Sequence, residues 1–390
     1  MSGQLGREVV IVGAVRTPIG RGHPEKGIYR DVHPADLLGR CLTELLERTG
    51  VPAAEVEDVT AGCAFQFGSQ MSNIARTAWL AEGLPIETGA TTVDTRCGSG
   101  QQAVNVVAAR IAAGIHDVGI GCGVEHMGNN GFAASAAVRR DHGEPFTPKL
   151  LERFAIQEQG LSAEQIADQW EIPRSELDAF AERSHRLAAQ ATDSGAFGRE
   201  IVEVEADGRL QSSDQGIRRS TTLESLAALK PAFKPDGKVT AGTSSQISDG
   251  AGAMLLMTRE KAQQLGVAPR ARVLDQTTVG VDPVSMLTGP IPATRKMLQR
   301  NGMTIDDFGA IEINEAFAPV VAAWSRELSP DMDRVNPRGG AIALGHPLGS
   351  TGVRLLTTLL HEMEDDDREL GLVTMCCGGG LGTATVLQLV

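Results

Sequence analysis

Three side chains of this sequence combine the chemistry needed to move acyl groups and protons. Cys97 and Cys376 are thiols set among glycines, Cys377 follows Cys376 directly, and His346 stands between a glycine and a proline. A thiolate is a strong nucleophile, and a neighbouring imidazole can take the proton that a thiol must lose. The residue types therefore predict acyl transfer through a cysteine.

The residues around Cys97 predict a strand, a sharp turn and a helix. Residues 91–95 are rich in β-branched side chains, residues 98–100 are Gly-Ser-Gly, and residues 101–113 form an alanine-rich apolar run. A cysteine at a helix N-terminus is expected to favour its thiolate, and the free N–H groups there could donate to an oxyanion. A buried structural cysteine is the alternative, since free cysteines are usually buried. The turn context favours the functional interpretation.

The second cysteine follows a short apolar stretch, residues 372–375, and precedes three glycines whose N–H groups are exposed. Another predicted strand, residues 383–389, ends the chain. A glycine-rich turn between two strands can be purely structural. It is also a poor dinucleotide fingerprint, because no helix follows it. This site gains its significance from the other motifs.

Four motifs occur in an order typical of one family. They are TRCGSGQQA at 95–103, NEAFA at 314–318, GHPLGSTG at 345–352 and CCGGG at 376–380. Together they make the chain resemble the thiolases, which are acetyl-CoA C-acyltransferases, from about Val9 to the C-terminus. The resemblance implies that Cys97 becomes acylated, that His346 takes its proton, and that Cys376 is the acid and base for the α-carbon and the CoA thiol. Cys377 is expected to be a bystander.

The resemblance also implies two oxyanion holes. His346 and Asn314, the latter through a water, would stabilise the thioester oxygen of the enolate. The backbone N–H groups of Cys97 and Gly378 would stabilise the tetrahedral intermediate on the acylated cysteine. Coenzyme A is expected as a co-substrate, with no permanently bound cofactor and no metal.

The chain also shows an internal repeat. Residues 56–59 and the apolar stretch after them resemble residues 305–308, and each copy is followed downstream by a strand ending in a catalytic-looking cysteine. Alternating strand and helix patterns predict an α/β fold. The resemblance sharpens this to the five-layered thiolase fold with two similar βαβαβαββ halves. We expect an N-terminal half (1–124 with 241–270), a loop domain (125–240) and a C-terminal half (271–390).

The loop domain is expected to cover the active site and bind CoA. It contains predicted helices at 162–170 and 174–191, with Ser162 and Pro173 as caps. Arg218 and Ser245 align with family positions that contact CoA. A basic cluster in an otherwise acidic chain suits a phosphate-bearing molecule, although it could equally be a solvated surface. The cluster consists of Arg218, Arg219, Lys230, Lys234 and Lys238.

Composition narrows the partners and the compartment. The chain has 390 residues, 42% of them hydrophobic, and a net charge of −13, which disfavours nucleic acid and anionic membranes as partners. Its six cysteines form no CxxC pair and so predict neither a zinc site nor a disulfide framework. We expect a cytoplasmic enzyme, without membrane insertion, that forms a homodimer or a dimer of dimers through residues 91–107.

Several alternatives remain beside this interpretation. A ketoacyl synthase would lack the second cysteine, Cys376. A non-catalytic acyl-CoA or lipid-binding relative would be expected to lose one of the three reactive residues, and a redox sensor would use adjacent cysteines, which rarely form an unstrained disulfide. A biosynthetic acetyl-CoA acetyltransferase would carry His-Met-Gly where this chain has EQG at 158–160. That difference, with the small residues Gly128 and Gly131 at the start of the loop domain, favours a degradative 3-ketoacyl-CoA thiolase of β-oxidation or sterol side-chain degradation.

Overall fold

Long apolar strands form one mixed sheet in the computed structural model, which describes residues 6–390. The first five residues of the predicted N-terminal half lie outside the described part. The strands are β1 (Val9–Arg16), β2 (Gly20–Arg21), β3 (Asp58–Gly62), β4 (Gly89–Val93), β5 (Val118–His126), β6 (Val204–Ala206), β7 (Arg209–Gln211), β8 (Ser248–Thr258), β9 (Ala271–Gly280), β10 (Ala310–Ile313), β11 (Leu370–Cys377) and β12 (Leu381–Leu389).

The helices alternate with these strands along the chain. They are α1 (Pro34–Thr49), α2 (Ile74–Ala81), α3 (Ser99–Ala112), α4 (Met127–Asn130), α5 (Phe132–His142), α6 (Pro148–Arg153), α7 (Gln159–Gln169), α8 (Arg174–Asp193), α9 (Leu223–Ala227), α10 (Arg259–Leu265), α11 (Pro290–Asn301), α12 (Ala318–Leu328), α13 (Ala341–Leu344) and α14 (Leu348–Asp365).

The sheet consists of two groups of strands. One group has the order β4-β3-β5-β8-β1 and the other β9-β12-β11-β10, while β2 pairs with β8 outside this path. The strands β6 and β7 pair with each other in a separate two-stranded sheet. The two groups join where Val10 and Ile11 of β1 face Arg272 and Ala271 of β9. Because the described strands of the two groups pair at these two positions alone, the junction divides the molecule into two halves.

The two halves share one order of elements. The first half runs β1-α1-β3-α2-β4-α3-β5-β8, and the second runs β9-α11-β10-α12-α14-β11-β12. In the first half, β4 pairs with β3, and β10 is the counterpart of β3. In the described part of the second half, an isolated bridge between Ile311 and Val335 takes the place of a strand equivalent to β4. The repeat therefore follows the predicted βαβαβαββ pattern, with one strand of the second copy reduced to a single bridge.

The repeat relates different residues from those the sequence suggested. Cys97 follows the edge strand β4, whereas Cys376 lies within β11, which is the counterpart of β5. The two cysteines therefore do not end equivalent strands. The counterpart of Cys97 is His346, since each residue stands just before the central helix of its half, α3 or α14.

Helices cover and separate the two groups of strands. The side chains of α1 and α2 pack with β1, β3, β5 and β8 in one buried cluster, and those of α11 and α12 pack with β10, β11 and β12 in another. Between the strand groups, α3 and α14 pack against each other and share a third cluster with residues of both halves. The order is helix, sheet, helix, sheet, helix, and the active-site helices form the central layer.

The segment 127–247 lies between the paired strands β5 and β8. Two of its helices compare directly with prediction. Pro173 caps α8 as expected, but α7 begins at Gln159, with Glu158 as its N-cap. Ser162 therefore lies inside the helix rather than at its cap, and its hydroxyl donates to the Val284 carbonyl at 2.7 Å. That contact fastens α7 to the C-terminal half.

Across residues 6–390, no helix combines the length and apolarity needed to cross a membrane. In the same range, no cluster of three or more His, Cys, Asp or Glu side chains could hold a metal ion. All six cysteines are free and buried.

Candidate active site

The N-termini of α3 and α14 meet through glycines. A β-carbon at Gly100 would lie 2.6 Å from the carbonyl oxygen of Gly349, and one at Gly352 would lie 2.1 Å from the nitrogen of Gln101. A β-carbon at Gly349 would in turn lie 2.4 Å from the carbonyl oxygen of Val124. No side chain fits at these distances. The two backbones approach closely here because these positions are glycine, and the approach brings the preceding residues of both helices toward one site.

The turn that presents Cys97 is strained at Arg96. Arg96 has a φ of 53°, in the left-handed region that non-glycine residues rarely adopt, whereas Gly98 has an ordinary φ of −85°. The Ser99 hydroxyl donates to the Arg96 carbonyl at 2.6 Å and accepts from the Thr95 N–H at 2.9 Å. The sharp turn therefore lies at Arg96, just before the cysteine, rather than at the predicted Gly-Ser-Gly segment, residues 98–100. Gly98 is needed for space, since its β-carbon would lie 2.7 Å from the sulfur of Cys377.

The Cys97 thiol is almost completely enclosed, with 1% of the residue exposed. Burial raises the pKa of Cys97 to about 11, although hydrogen bonds from the N–H groups of Gly378 and of Cys97 itself act in the opposite direction. The expected stabilisation of the thiolate is present but weaker than desolvation. Cys97 is accordingly a thiol at neutral pH, and it needs a base when it attacks.

His346 presents an unprotonated nitrogen. Its Nδ1 lies 2.7 Å from the Thr351 hydroxyl, which donates its own proton to the Pro347 carbonyl at 2.8 Å. The hydroxyl must then accept from Nδ1–H, so Nε2 carries the lone pair. Burial lowers the pKa of His346 to about 3, and the positive charge of Arg354 acts in the same direction. The imidazole is neutral at physiological pH and can accept a proton.

Asn314 lies beside this basic nitrogen. Its Nδ2 is 3.3 Å from Nε2 of His346, and the residue is completely buried. In the described part of the chain its Oδ1 has no hydrogen-bond partner. A buried amide oxygen without a partner is costly, so this atom suits a water or a substrate group. The predicted pair of His346 and Asn314 is thus brought together.

Cys376 and Cys377 point to opposite faces of β11, as successive strand residues do. Cys376 packs in a cluster that includes Met286, Ala316 and Ile342, next to the NEAFA motif. Cys377 packs in the central cluster and contacts Gly98 and Thr383. Burial raises the pKa of both thiols well above the usual range, and a negative charge on Cys97 raises each of them further.

Gln159 is a site residue that the sequence pointed to only as part of a tripeptide. Its Nε2 would lie 2.7 Å from a β-carbon built on Gly378, so the amide faces the proposed oxyanion glycine. Its neighbour Gly160 is fixed by packing, because a β-carbon there would lie 2.0 Å from the Phe233 ring. The absence of a side chain at Gly160 lets Phe233 close over α7 and stack edge-on against Phe317 at 5.8 Å. In the sequence, the signal that could have found Gln159 was the glycine that directly follows this polar residue.

The two predicted CoA residues lie on segments that converge on the His346 loop. The N–H of Ser245 donates to the Ala316 carbonyl at 2.9 Å, and the N–H of Arg218 donates to Nδ1 of His185 at 3.1 Å. Gln246, which sequence reasoning missed, connects them. Its side chain donates to the carbonyls of Gly216 at 2.9 Å, of Ile342 and of Ala343, and its own carbonyl accepts from the His346 N–H at 3.2 Å.

The basic cluster is partly neutralised. Arg219 pairs with Asp193 at 2.7 Å, and Lys234 and Lys238 both pair with Asp168 at 2.8 Å and 2.9 Å. Within residues 6–390, Arg218 and Lys230 form no such ion pair, and both are exposed. Two of the five cations are therefore the ones available to a phosphate.

Comparisons with known proteins agree with this geometry. Residues 9–260 match the model of the thiolase N-terminal domain, and residues 267–389 match that of the thiolase C-terminal domain. The chain is 42% identical to a steroid 3-ketoacyl-CoA thiolase of Mycobacterium tuberculosis, across 99% of this chain and 95% of the relative. It is 44% identical to a 3-ketoacyl-CoA thiolase of Marinomonas sp., across 98% of each chain.

A solved structure extends the similarity to three dimensions. The acetyl-CoA acetyltransferase of Bacillus anthracis superimposes with a TM-score of 0.90 at 36% identity, covering 98% of this chain and 99% of that one. The predicted fold and the predicted acyltransferase class are confirmed. The chain belongs to the thiolase family.

Proposed function

We propose that this chain is a 3-ketoacyl-CoA thiolase that uses CoA to cleave 3-ketoacyl-CoA into acetyl-CoA and a shortened acyl-CoA. The observation that carries the proposal is the hydrogen bond from the N–H of Gly378 to the Cys97 sulfur, with a second buried thiol, Cys376, whose pKa a charge on Cys97 raises. A nucleophile, an oxyanion donor and a proton carrier then share one enclosed site. The names of the relatives support the same reaction.

In the first step, Nε2 of His346 takes the proton from the Cys97 thiol as the sulfur attacks C3 of the substrate. The N–H groups of Cys97 and Gly378 stabilise the oxyanion of the tetrahedral intermediate. The bond between C2 and C3 then breaks, which leaves the acyl group on Cys97 and an enolate of acetyl-CoA. The Cys376 thiol protonates C2 of that enolate, and acetyl-CoA leaves. Its raised pKa keeps Cys376 protonated until this moment.

In the second step, the Cys376 thiolate takes the proton from the thiol of incoming CoA. The CoA sulfur attacks the acyl carbon on Cys97, the intermediate collapses, and the Cys97 thiolate recovers its proton from His346. Asn314 acts in the first step, where a water held by its free Oδ1 contacts the thioester oxygen of the enolate. The Cys97 proton returns from His346, and the proton that Cys376 gave to acetyl-CoA is replaced by the one from the CoA thiol, so the cycle is balanced.

Arg218 and Ser245 are proposed contacts for CoA, and we propose that the loop domain, residues 125–240, covers the site. Arg218 is exposed and unpaired in the described range, as a phosphate-binding guanidinium should be. Arg218→Ala should raise KM for CoA, whereas Arg219→Ala, whose side chain is already paired with Asp193, should change it little. Steady-state thiolysis at varied CoA measures both. Equal KM values in the two variants and the wild type would remove Arg218 from the CoA site.

The acyl group is proposed to be longer than acetoacetyl, as in β-oxidation or sterol side-chain degradation, because Glu158-Gln159-Gly160 stands where short-chain enzymes carry the bulky His-Met pair followed by glycine. A buried methylene contributes about 0.8 kcal/mol, which is roughly fourfold in kcat/KM per carbon until the pocket is full. Thiolysis of a 3-ketoacyl-CoA series should therefore accelerate from acetoacetyl-CoA to medium-chain or ring-bearing substrates. If acetoacetyl-CoA is best, the acetyl-CoA acetyltransferase alternative replaces this proposal.

We also propose a cytoplasmic homodimer or dimer of dimers. The edge strand β4 pairs with β3 alone among the described strands, and residues 90–93 on it are half-exposed. An edge strand with free N–H and carbonyl groups can pair with another copy of the chain. Sedimentation velocity should give a dimer or tetramer mass. An active monomer at assay concentration would contradict the proposal.

A further inference from the structure

Glu125 is a buried carboxylate that the reaction described above does not use. It lies near the end of β5, is 0% exposed, and forms no ion pair within the part of the chain that the structure describes. A carboxylate removed from water must be stabilised by hydrogen bonds. Its partners therefore show what holds it in place.

The partners of Glu125 come from both halves of the molecule. Oε2 accepts from the N–H of Ala64 at 2.8 Å and from the N–H of Gly349 at 2.8 Å. Oε1 accepts from the N–H of Phe65 at 3.1 Å, from Nε2 of Gln70 at 2.7 Å and from the Cys63 thiol at 3.6 Å. Burial raises the pKa of Glu125, while the four nitrogen donors, of Ala64, Phe65, Gln70 and Gly349, act in the opposite direction.

The Gly349 contact is the one that reaches the active site. Gly349 is in the first turn of α14, three residues after His346, and its carbonyl lies against Gly100 in the first turn of α3. The carboxylate thus binds a free N–H at the N-terminus of the helix that His346 precedes. At the same time it is fixed to the first half through the loop after β3. One side chain connects the strand framework of the Cys97 half to the helix of the His346 half.

We propose that Glu125 is a positioning residue that holds the His346 end of α14 in register with Cys97. The inference rests on the proposed thiolase reaction, but Glu125 does not contact the reacting atoms. Glu125→Gln keeps the size of the side chain and replaces one oxygen by an NH2 group, which cannot accept from an N–H. At least two of the five hydrogen bonds would be lost, and α14 would shift relative to α3.

Displacement of catalytic groups by about 1 Å can cost about 100-fold in rate. We therefore expect Glu125→Gln to lower kcat by about that factor and to slow acetylation of Cys97 by acetyl-CoA equally, while KM for CoA stays within about threefold. Glu125→Asp, which keeps four acceptor positions on a shorter stem, should fall between the wild type and the glutamine variant.

Asp275→Asn provides the matched control. Asp275 is a buried carboxylate on β9 that pairs with Arg300 and also accepts from the N–H of Gln276 at 2.7 Å and from Asn301 at 2.8 Å, away from both helix N-termini. It should lower the thermal midpoint without changing kcat. The proposal is overturned if Glu125→Gln retains wild-type kcat, if Asp275→Asn loses kcat equally, or if neither Glu125 variant folds. Absence of thiolysis in the wild type would instead refute the proposed function.

Discussion

The start of α3 and the start of α14 occupy equivalent places in the two halves, yet they present opposite chemistry. Cys97 precedes one helix and is an acid whose pKa burial raises to about 11. His346 precedes the other and is a base whose pKa burial lowers to about 3. The same physical cause makes both groups neutral at rest. A duplicated framework has thus become a nucleophile and its base.

The backbones of the two regions differ as well. Arg96 is strained at a φ of 53° before Cys97, whereas Gly345, at a φ of 115°, fills the corresponding place before His346 without a side chain to strain. Hydrogen bonds from Ser99 hold the first turn, and Thr351 orients the imidazole after the second. Hydrogen bonds within the turn therefore position the nucleophile, whereas a hydrogen bond to a ring nitrogen positions the base.

The largest effect is expected at the nucleophile. Cys97→Ser replaces a thiol by an alcohol that is far less ionised, so turnover should fall by several orders of magnitude. Stopped-flow or steady-state thiolysis assays measure the loss of turnover, with folding checked by circular dichroism. A serine variant with substantial activity would show that the residue before α3 is not the nucleophile, and that the starts of α3 and α14 do not differ as described.

The next effect separates the adjacent cysteines of β11. Cys376→Ala should lose cleavage and condensation while Cys97 still becomes acylated, because only the proton carrier is missing. Cys377→Ala removes a sulfur that packs against Gly98 and should cost about 1 kcal/mol of stability with little loss of kcat. Equal loss of activity in both variants would mean that the roles on the two faces of the strand were misassigned.

The smallest effect is on the pH dependence of stability. The pKa of His346 is about 3 in the folded protein, against 6.5 ordinarily, so the unfolded chain binds more protons below pH 6.5 and stability falls as pH decreases toward 3. His346→Asn should reduce this slope by about 1.4 kcal/mol per pH unit.

Urea unfolding at pH 4.5 and at pH 6.5 measures that slope, with His142→Asn as a control at an exposed histidine. The control should follow the wild type. If His346→Asn also follows the wild type, the imidazole is not held neutral by burial, and the two helix starts do not differ as described.

The sequence predicted the motifs and their family better than it predicted their geometry. Residue types and local glycines located Cys97, His346 and Cys376, because reactive side chains in tight backbone turns leave a local signal. Contacts between distant segments produce the strain at Arg96, the hydrogen bonds of Gln246 and the burial of Glu125, so no local sequence pattern predicts these features. The expected thiolate at Cys97 was overestimated for the same reason, since desolvation is a property of the packed core.

The repeat shows this limit most clearly. Similar residues at 56–59 and 305–308 correctly indicated two halves, but matching the halves by their cysteines related Cys97 to Cys376. Strand order relates Cys97 to His346 instead. Equivalence in a duplicated fold is set by topology, whereas residue identity at an active site diverges with chemical role.

The central claim is that Cys97 carries the acyl group while Cys376 handles the proton, and peptide mapping tests it directly. Trypsin should release Cys97 in the fragment 97–110 and both later cysteines in the fragment 369–390. After incubation with excess acetyl-CoA and an acid quench, we expect one acetyl group on fragment 97–110 in the wild type and in Cys376→Ala. Acetylation of fragment 369–390, with fragment 97–110 unmodified, would contradict the account.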